Sequence, residues 1–406
     1  MSNFYDALET RSNDQRDAEN LAALTELVSH AKSSAPGMAA HLEGVDASDI
    51  TDLAMLSKLP VLRKSHLGAA QKASPPFGGF AASRTHHAFQ SPGPIYEPGG
   101  ITHDWFRLGR FLHAAGLGAD DLVQNCFSYH MTPAGMMFES GARAVGARIF
   151  PAGTGQTELQ VEAAAQLGVT AYAGTPDYLR IILDKADEMG VSLGITKAAV
   201  SGGALFPSLR AGYADRGISC LQCYATADLG NIAYESAAME GMIIDEGVIV
   251  EIVTPGTGDP VTEGEVGEVV VTSFNRDYPL IRFATGDLSA VLPGASPCGR
   301  TNMRIKGWMG RADQTAKIKG MFVRPEQVAA LVARHAEIDR ARVTVTRADD
   351  KDVMTVQVEG AGIETASVAE TVRATLKLSG HVEAVEPGTL PRDGIVIDDQ
   401  RQYDQG

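Results

Sequence analysis

The chain has 406 residues, too many for one compact core, so two or three folding units are expected. Hydrophobic residues make up 44% and charged residues 21%, the balance of a globular enzyme and not of a disordered chain. A formal net charge of −15 argues against a nucleic-acid or anionic-membrane surface, both of which need clustered Lys and Arg, but leaves room for a local site that binds a polyanionic nucleotide.

The opening Met1 to Arg16 is polar and mixed in charge, and reads as neither a signal nor a transit peptide. No apolar run approaches the roughly 20 residues of a membrane span, so the expected location is cytoplasmic. Residues 15–33 carry Leu21, Leu24, Leu27 and Val28 at helical spacing, and Leu53 to Leu59 is a second apolar stretch ended by Pro60. From about residue 120, strand-like and helical segments alternate. "DDLVQNCFSY" and "GARIFPAG" read as strands around a helix from Gly135 to Val145. "GVTAYAGTP" reads as a strand, "DYLRIILDKADEMG" as a helix closed by Gly190, and "ITKAAVSGG" as another strand. That alternation predicts an α/β domain with a mostly parallel sheet, whose ligands collect at the C-terminal ends of the strands.

Near residue 240 the text turns into short β-rich runs between Gly, Pro and Asp, which predicts a β-barrel-like subdomain over about 240–310. The tail reads as strand "AKIKG", helix Pro325 to Arg334, strands "ARVTVTR" and "DVMTVQVEG", helix Ala366 to Leu378 and strand "HVEAVEP". This β-α-β-β-α-β order predicts a small ferredoxin-like α+β unit. Four cysteines (Cys126, Cys220, Cys223, Cys298) are too few and scattered for a disulfide framework, and read as reduced, mostly buried thiols.

The segment "YPLIRFATGDLSAVLPGASPCGRTNMRIKGWMGRADQTAKIKGMFVRPEQVAAL" resembles the phenylacetate–CoA ligases, in the adenylate-forming superfamily, through four ordered landmarks: P-L-I-R-x-x-T-G-D, C-G-R-T, G-R-x-D and the loop before "PEQV". "SGGALFPSLR", "CYATADLG" and "SKLPVLRKSHL" extend the resemblance over nearly the whole chain. It implies an N-terminal adenylate-forming domain over 1–312 and a C-terminal lid over 313–406 that rotates between two half-reactions. The implied activity is AMP-forming acyl- or aryl-CoA synthesis from a small carboxylic acid, with ATP/AMP, CoA and Mg²⁺ as cofactors. A homodimer is compatible with it, and no nucleic-acid or membrane partner is expected.

The resemblance also implies roles residue by residue. Asp287 matches the carboxylate that takes both ribose hydroxyls, Tyr224 the aromatic stacked on adenine, and Gly202, Gly203 and Ala204 the adenine loop. Arg311 is placed to reach ribose or phosphate, and Asp313 to act as the hinge. His130, with Tyr129 before it, reads either as the aromatic that orients the substrate carboxylate or as a satisfied structural histidine. Gly174, Thr175 and Pro176 match the segment lining the acid pocket, and Lys319 with Gly320 the loop that approaches the CoA thiol.

Three departures point to a weakened ATP site. The phosphate loop is replaced by "FQSPGPIYEPGG", where Pro92 and Pro94 lack amide donors and Glu97 adds negative charge. The Thr-Glu of the family motif is Ala227–Asp228, which leaves Asp228 as a shortened Mg²⁺ ligand and Thr226 as a poorly placed hydroxyl. No Lys follows from Leu390 to Arg401, where Arg392 is the nearest cation. ATP is therefore expected to bind no more tightly than AMP. Zinc is not expected, because Cys298 stands alone in its segment and Cys220 and Cys223 lie in a predicted strand that faces them apart. The alternatives are a degenerate member that processes CoA thioesters as a transferase or hydrolase, or one that serves as a nucleotide or acyl-CoA sensor.

Overall fold

The computed structural model describes residues 3–203, 205–254, 257–309, 312, 316–319, 321–323, 325–348, 351–391 and 395–401, and the chain divides after Trp308 into two compact units. Among the described residues, the larger unit is built on a nine-stranded mixed sheet. Its parallel part runs Arg148–Phe150, Leu122–Asn125, Ala171–Gly174, Lys197–Val200 and Ser219–Thr226. Gly230–Tyr234, Met242–Ile244, Arg304–Ile305 and Val291–Leu292 then add antiparallel strands.

The central parallel strands are largely apolar and buried because both faces are covered. Val123, Ala171, Ala173, Ala199 and Leu221 join one core cluster, while Leu122, Tyr172, Ala198, Val200 and Cys220 join another. Helices take the crossovers where the sequence supplies start and stop signals. Pro176 opens the Pro176–Met189 helix without forfeiting a hydrogen bond, and Gly190 at φ +66° closes it in the left-handed conformation glycine tolerates. That helix buries Leu179, Ile182, Leu183 and Ala186, about 1.5–3 kcal/mol for each full-sized apolar side chain. The N-terminal helix, Asn13–Ser34, is capped by the Ser12 side chain and buries Leu24, Leu27, Val28 and Ala31.

The β-rich stretch over 240–310 does not close into one subdomain as expected. Met242–Ile244, Val291–Leu292 and Arg304–Ile305 extend the large sheet. Val248–Val253, Gly267–Ser273 and Phe283–Ser289 form a separate four-stranded sheet with Leu62–Arg63 at its edge. Arg282 explains how the second sheet holds that edge. It is 2% exposed, ion-pairs with Glu251 at 2.9 Å, and donates to the carbonyls of Ser57, Leu59 and Gly258 at 3.0, 2.6 and 2.8 Å. A planar guanidinium can serve these divergent acceptors at once, which a Lys cannot.

In the smaller unit the expected β-α-β-β-α-β succession is present with two further strands, and the first strand does not join the main sheet. Ala316–Ile318 turns back at Lys319 (φ +47°) and pairs with Met321–Val323 as a separate hairpin, Ile318 opposite Met321. Among the described residues the four-stranded sheet runs His381–Val385, Lys351–Gly360, Ile338–Ala348 and Ile397–Asp399. The edge is filled by Ile397–Asp399, parallel to Val343–Val345, a strand beyond the expected six elements. The helices Pro325–Val332 and Thr365–Leu376 contribute Val328, Leu331, Val368, Val372 and Leu376 to this unit's own core.

Candidate functional site

Four loops at the C-terminal ends of the parallel strands converge. Ser201, after Lys197–Val200, donates its N–H to the Gly174 carbonyl at 3.2 Å and its hydroxyl to the Cys223 carbonyl at 3.0 Å. Gly202 has φ +71°, and a Cβ there would come within 3.8 Å of Phe127 and 3.9 Å of Thr175; one at Gly203 would lie 3.3 Å from Pro176. The expected adenine loop and acid-pocket segment are therefore neighbours. Tyr129 accepts from Asn125 Nδ2 at 2.8 Å, and burial pushes its phenol well up, so it stays protonated. His130 is exposed in the turn before the Ala134–Ala144 helix, its N–H held by Ser128 Oγ at 3.0 Å.

Beside this edge lies Asp287, 7% exposed, near the end of Phe283–Ser289. Tyr224 donates its hydroxyl to Oδ2 at 2.8 Å, Trp308 donates Nε1–H to Oδ1 at 3.0 Å, and the Asp287 N–H is accepted by Thr285 Oγ1 at 3.1 Å. Thr285 in turn donates to the Val269 carbonyl at 3.1 Å. The carboxylate is fixed in place, and a carboxylate's roughly four lone-pair sites let it accept several donors at once. Tyr224, half-buried, is held by its hydroxyl while its ring packs against the core.

A second polar cluster lies under the turn that follows Tyr224. Asp228 is buried and pairs with Lys64 Nζ at 2.5 Å through Oδ2. Thr226 Oγ1 accepts the Leu229 N–H at 3.2 Å, which shapes the turn carrying Asp228. Glu97, fully buried, accepts from the Ser91 hydroxyl. Among the described residues Asp228 Oδ1, Glu97 Oε2 and the Tyr278 hydroxyl have no hydrogen-bond partner. Burial first, and then the nearby Asp228 carboxylate, push Glu97 from 4.5 to about 8, so it is largely neutral at pH 7.

This corrects the reading of "FQSPGPIYEPGG". The segment is a closed hairpin, His87–Ser91 against Ile95–Gly99, and Glu97 turns inward as a neutral acid, not outward as a charge facing phosphates. Asp228 fits the Mg²⁺ role in one respect: it has a buried carboxylate oxygen without a partner. Among the described residues there is no group of three or more His, Cys, Asp or Glu that could hold a metal ion. Cys220 and Cys223 belong to clusters on different faces of the large sheet.

Lys319 is exposed at the tip of the small hairpin in the second unit, its N–H held by Asp352 Oδ2 at 3.2 Å. Ala204, Arg311, Asp313, Gly320 and Arg392 lie outside the described residues. Sequence reasoning missed Lys64, Tyr278 and Trp308. The available signals were Lys64 within the early L-P-x-x-x-K segment, and Trp308, one of 2 tryptophans, between two landmarks.

No family model matches the chain. It is 28% identical over 373 residues to the phenylacetate–coenzyme A ligase of Aromatoleum evansii, covering 87% of this chain and 83% of that protein. The enzyme of the same name from Thermus thermophilus is 28% identical over 335 residues, covering 78% and 74%. Among solved structures, a 2-hydroxyisobutyryl-CoA ligase in complex with 2-HIB-AMP and CoA superposes with TM-score 0.80 at 23% identity, covering 99% of this chain and 93% of that one. The structural likeness establishes the α/β fold, and the sequence likeness runs through most of the chain. Among the described residues no helix is long and apolar enough to cross a membrane.

Proposed function

We propose that the chain is an AMP-forming acyl- or aryl-CoA ligase, which converts a carboxylic acid, ATP and CoA into acyl-CoA, AMP and pyrophosphate. The observation that carries this reading is Asp287, fixed by Tyr224 and Trp308 beside the converging strand-end loops, in a chain similar throughout to phenylacetate–CoA ligases. Asp287 would accept the ribose hydroxyls, and Tyr224 with Gly202 and Gly203 would border the adenine. Gly174, Thr175, Pro176, Tyr129 and His130 would border the acid.

The chemistry follows. The acid's carboxylate attacks the α-phosphorus of ATP and displaces pyrophosphate, and the CoA thiolate then attacks the acyl carbonyl and displaces AMP. Asp228 would hold Mg²⁺, which supplies charge neutralisation at the phosphates. Lys319 would serve CoA. We take the acid to be small and the setting to be cytoplasmic, and a homodimer is the assembly to test by sedimentation. Incubation with ATP, CoA and a panel of aryl and short acyl acids, followed by mass spectrometry, tests the proposal. Acid-dependent acyl-CoA and AMP in equal amounts are expected; AMP without acyl-CoA, or neither product, would refute it.

One observation favours a second reading. The segment expected to hold phosphates is a paired hairpin, and Asp228, the residue expected to hold Mg²⁺, is already paired with Lys64, which supports a protein that handles CoA thioesters without adenylation. Consumption of an acyl-CoA without ATP would decide for it.

A further inference from the structure

Asp228 has been given the Mg²⁺ role, but its partner Lys64 has no role in the ligase reading so far. The Asp228 side chain is 0% exposed and that of Lys64 27%, so the ammonium joins the buried carboxylate to the surface. Lys64 also stands beside the candidate nucleotide residues. In the parallel register Leu62 faces Phe283 and Arg63 faces Ala284 on the strand that carries Asp287, and Lys64 opens the Lys64–Ala73 helix directly after this edge strand. Asp228 follows by four residues the Tyr224 whose hydroxyl reaches that same Asp287. No Lys lies in the hairpin from His87 to Gly99 or between Leu390 and Arg401.

We propose that Lys64 is the cation that receives the phosphate chain of ATP, and that the Lys64–Asp228 pair opens by exchange of partners. The ammonium passes to phosphate oxygens as the Asp228 carboxylate passes to the Mg²⁺ that accompanies them. The inference rests on the ligase reading and supplies the phosphate contact which that reading lacked. Electrostatics favour the exchange. A buried carboxylate left alone is strongly destabilising, and phosphates brought against it would repel it. Exchange leaves each charge paired at the end. The free Asp228 Oδ1 is a ready acceptor for the incoming cation.

Calorimetric titration of the full chain with AMP, with ATP in EDTA and with ATP plus Mg²⁺ tests this. In the wild type Mg²⁺–ATP should bind more tightly than AMP. Lys64→Gln should weaken ATP binding by about 10- to 100-fold, the value of a charge-assisted hydrogen bond, and change AMP by less than about threefold. Asp228→Asn removes the carboxylate that competes with phosphate for the ammonium, so ATP in EDTA should tighten while the gain from added Mg²⁺ disappears. A purely structural pair could not produce that tightening. If the wild type binds both nucleotides and Lys64→Gln leaves ATP affinity intact, the inference is overturned and the ligase reading stands. If the wild type binds neither, both fall. Should Lys64→Gln fail to fold on thermal melting, Asp228→Asn decides: tightening in EDTA supports the exchange, and unchanged or weaker binding overturns it.

Discussion

Tyr224 donates its hydroxyl to Asp287 Oδ2 at 2.8 Å while Trp308 donates to Oδ1 at 3.0 Å, so one carboxylate is gripped from two distant parts of the sequence. Both oxygens are thereby oriented before any ligand arrives, which lowers the ordering cost of binding. Asp287→Ala should weaken AMP and ATP alike by about 10- to 100-fold, or 1.5–3 kcal/mol, as expected for lost hydrogen bonds to a charged acceptor. Tyr224→Phe keeps the ring but frees one oxygen, and should cost AMP less than Asp287→Ala. Calorimetry on the two variants checks the order; unchanged AMP affinity in Asp287→Ala would remove the ribose assignment.

Glu97 sets a pH dependence with a definite sign. Its carboxyl titrates near 4.5 in ordinary surroundings and near 8 in the fold, so between these values the folded chain holds a proton that the unfolded chain has released. Stability from this group is full below about pH 4.5 and is lost as pH rises towards 8. Glu97→Gln should remove that slope and melt at a higher temperature than the wild type near pH 8.5. Parallel melting curves for both proteins between pH 5 and 9 would contradict the assignment.

Arg282 is a third point of test. Removing it strands the buried Glu251, which burial pushes up and Arg282 holds down, and leaves three carbonyls unserved. Arg282→Ala should destabilise the larger unit by about 3–5 kcal/mol, and Arg282→Lys should recover little of it. Chemical denaturation followed by tryptophan fluorescence reads this; a loss under about 1 kcal/mol would show the network to be dispensable.

Much of the fold was legible because local signals and burial agree. The strands around Val123, Ala173 and Ala199 read as apolar runs, and Gly190 marked its helix end. What failed depends on long-range pairing. Nothing local says that Met242–Ile244 joins the large sheet while Val248–Val253 joins another, or that Ile397–Asp399 takes an edge beside Val343–Val345. The site behaved likewise. Motif context singled out Asp287 and Tyr224, which the structure joins by a hydrogen bond, but Lys64 meets Asp228 across 164 residues, and the inward turn of Glu97 needs the packed structure to be seen.

The CoA role proposed for Lys319 predicts that its removal separates the two half-reactions. Lys319 is exposed at its hairpin tip and pairs its main chain, not its ammonium, with Asp352. Lys319→Ala should leave acid-dependent pyrophosphate release within about twofold and slow acyl-CoA formation by about tenfold, the worth of one exposed charged contact at a substrate anion. Rapid-quench measurement of both products checks it; equal slowing of both would place Lys319 elsewhere in the cycle.

The ligase account stands most directly on one measurement: pyrophosphate release by the wild-type chain with ATP, Mg²⁺ and each acid of an aryl and short-acyl panel, in the absence of CoA. The account predicts a burst close to one equivalent of pyrophosphate per chain with at least one acid, lost in Asp287→Ala and resumed as turnover when CoA is added. ATP that stays intact with every acid, while the chain still binds AMP, would contradict adenylation.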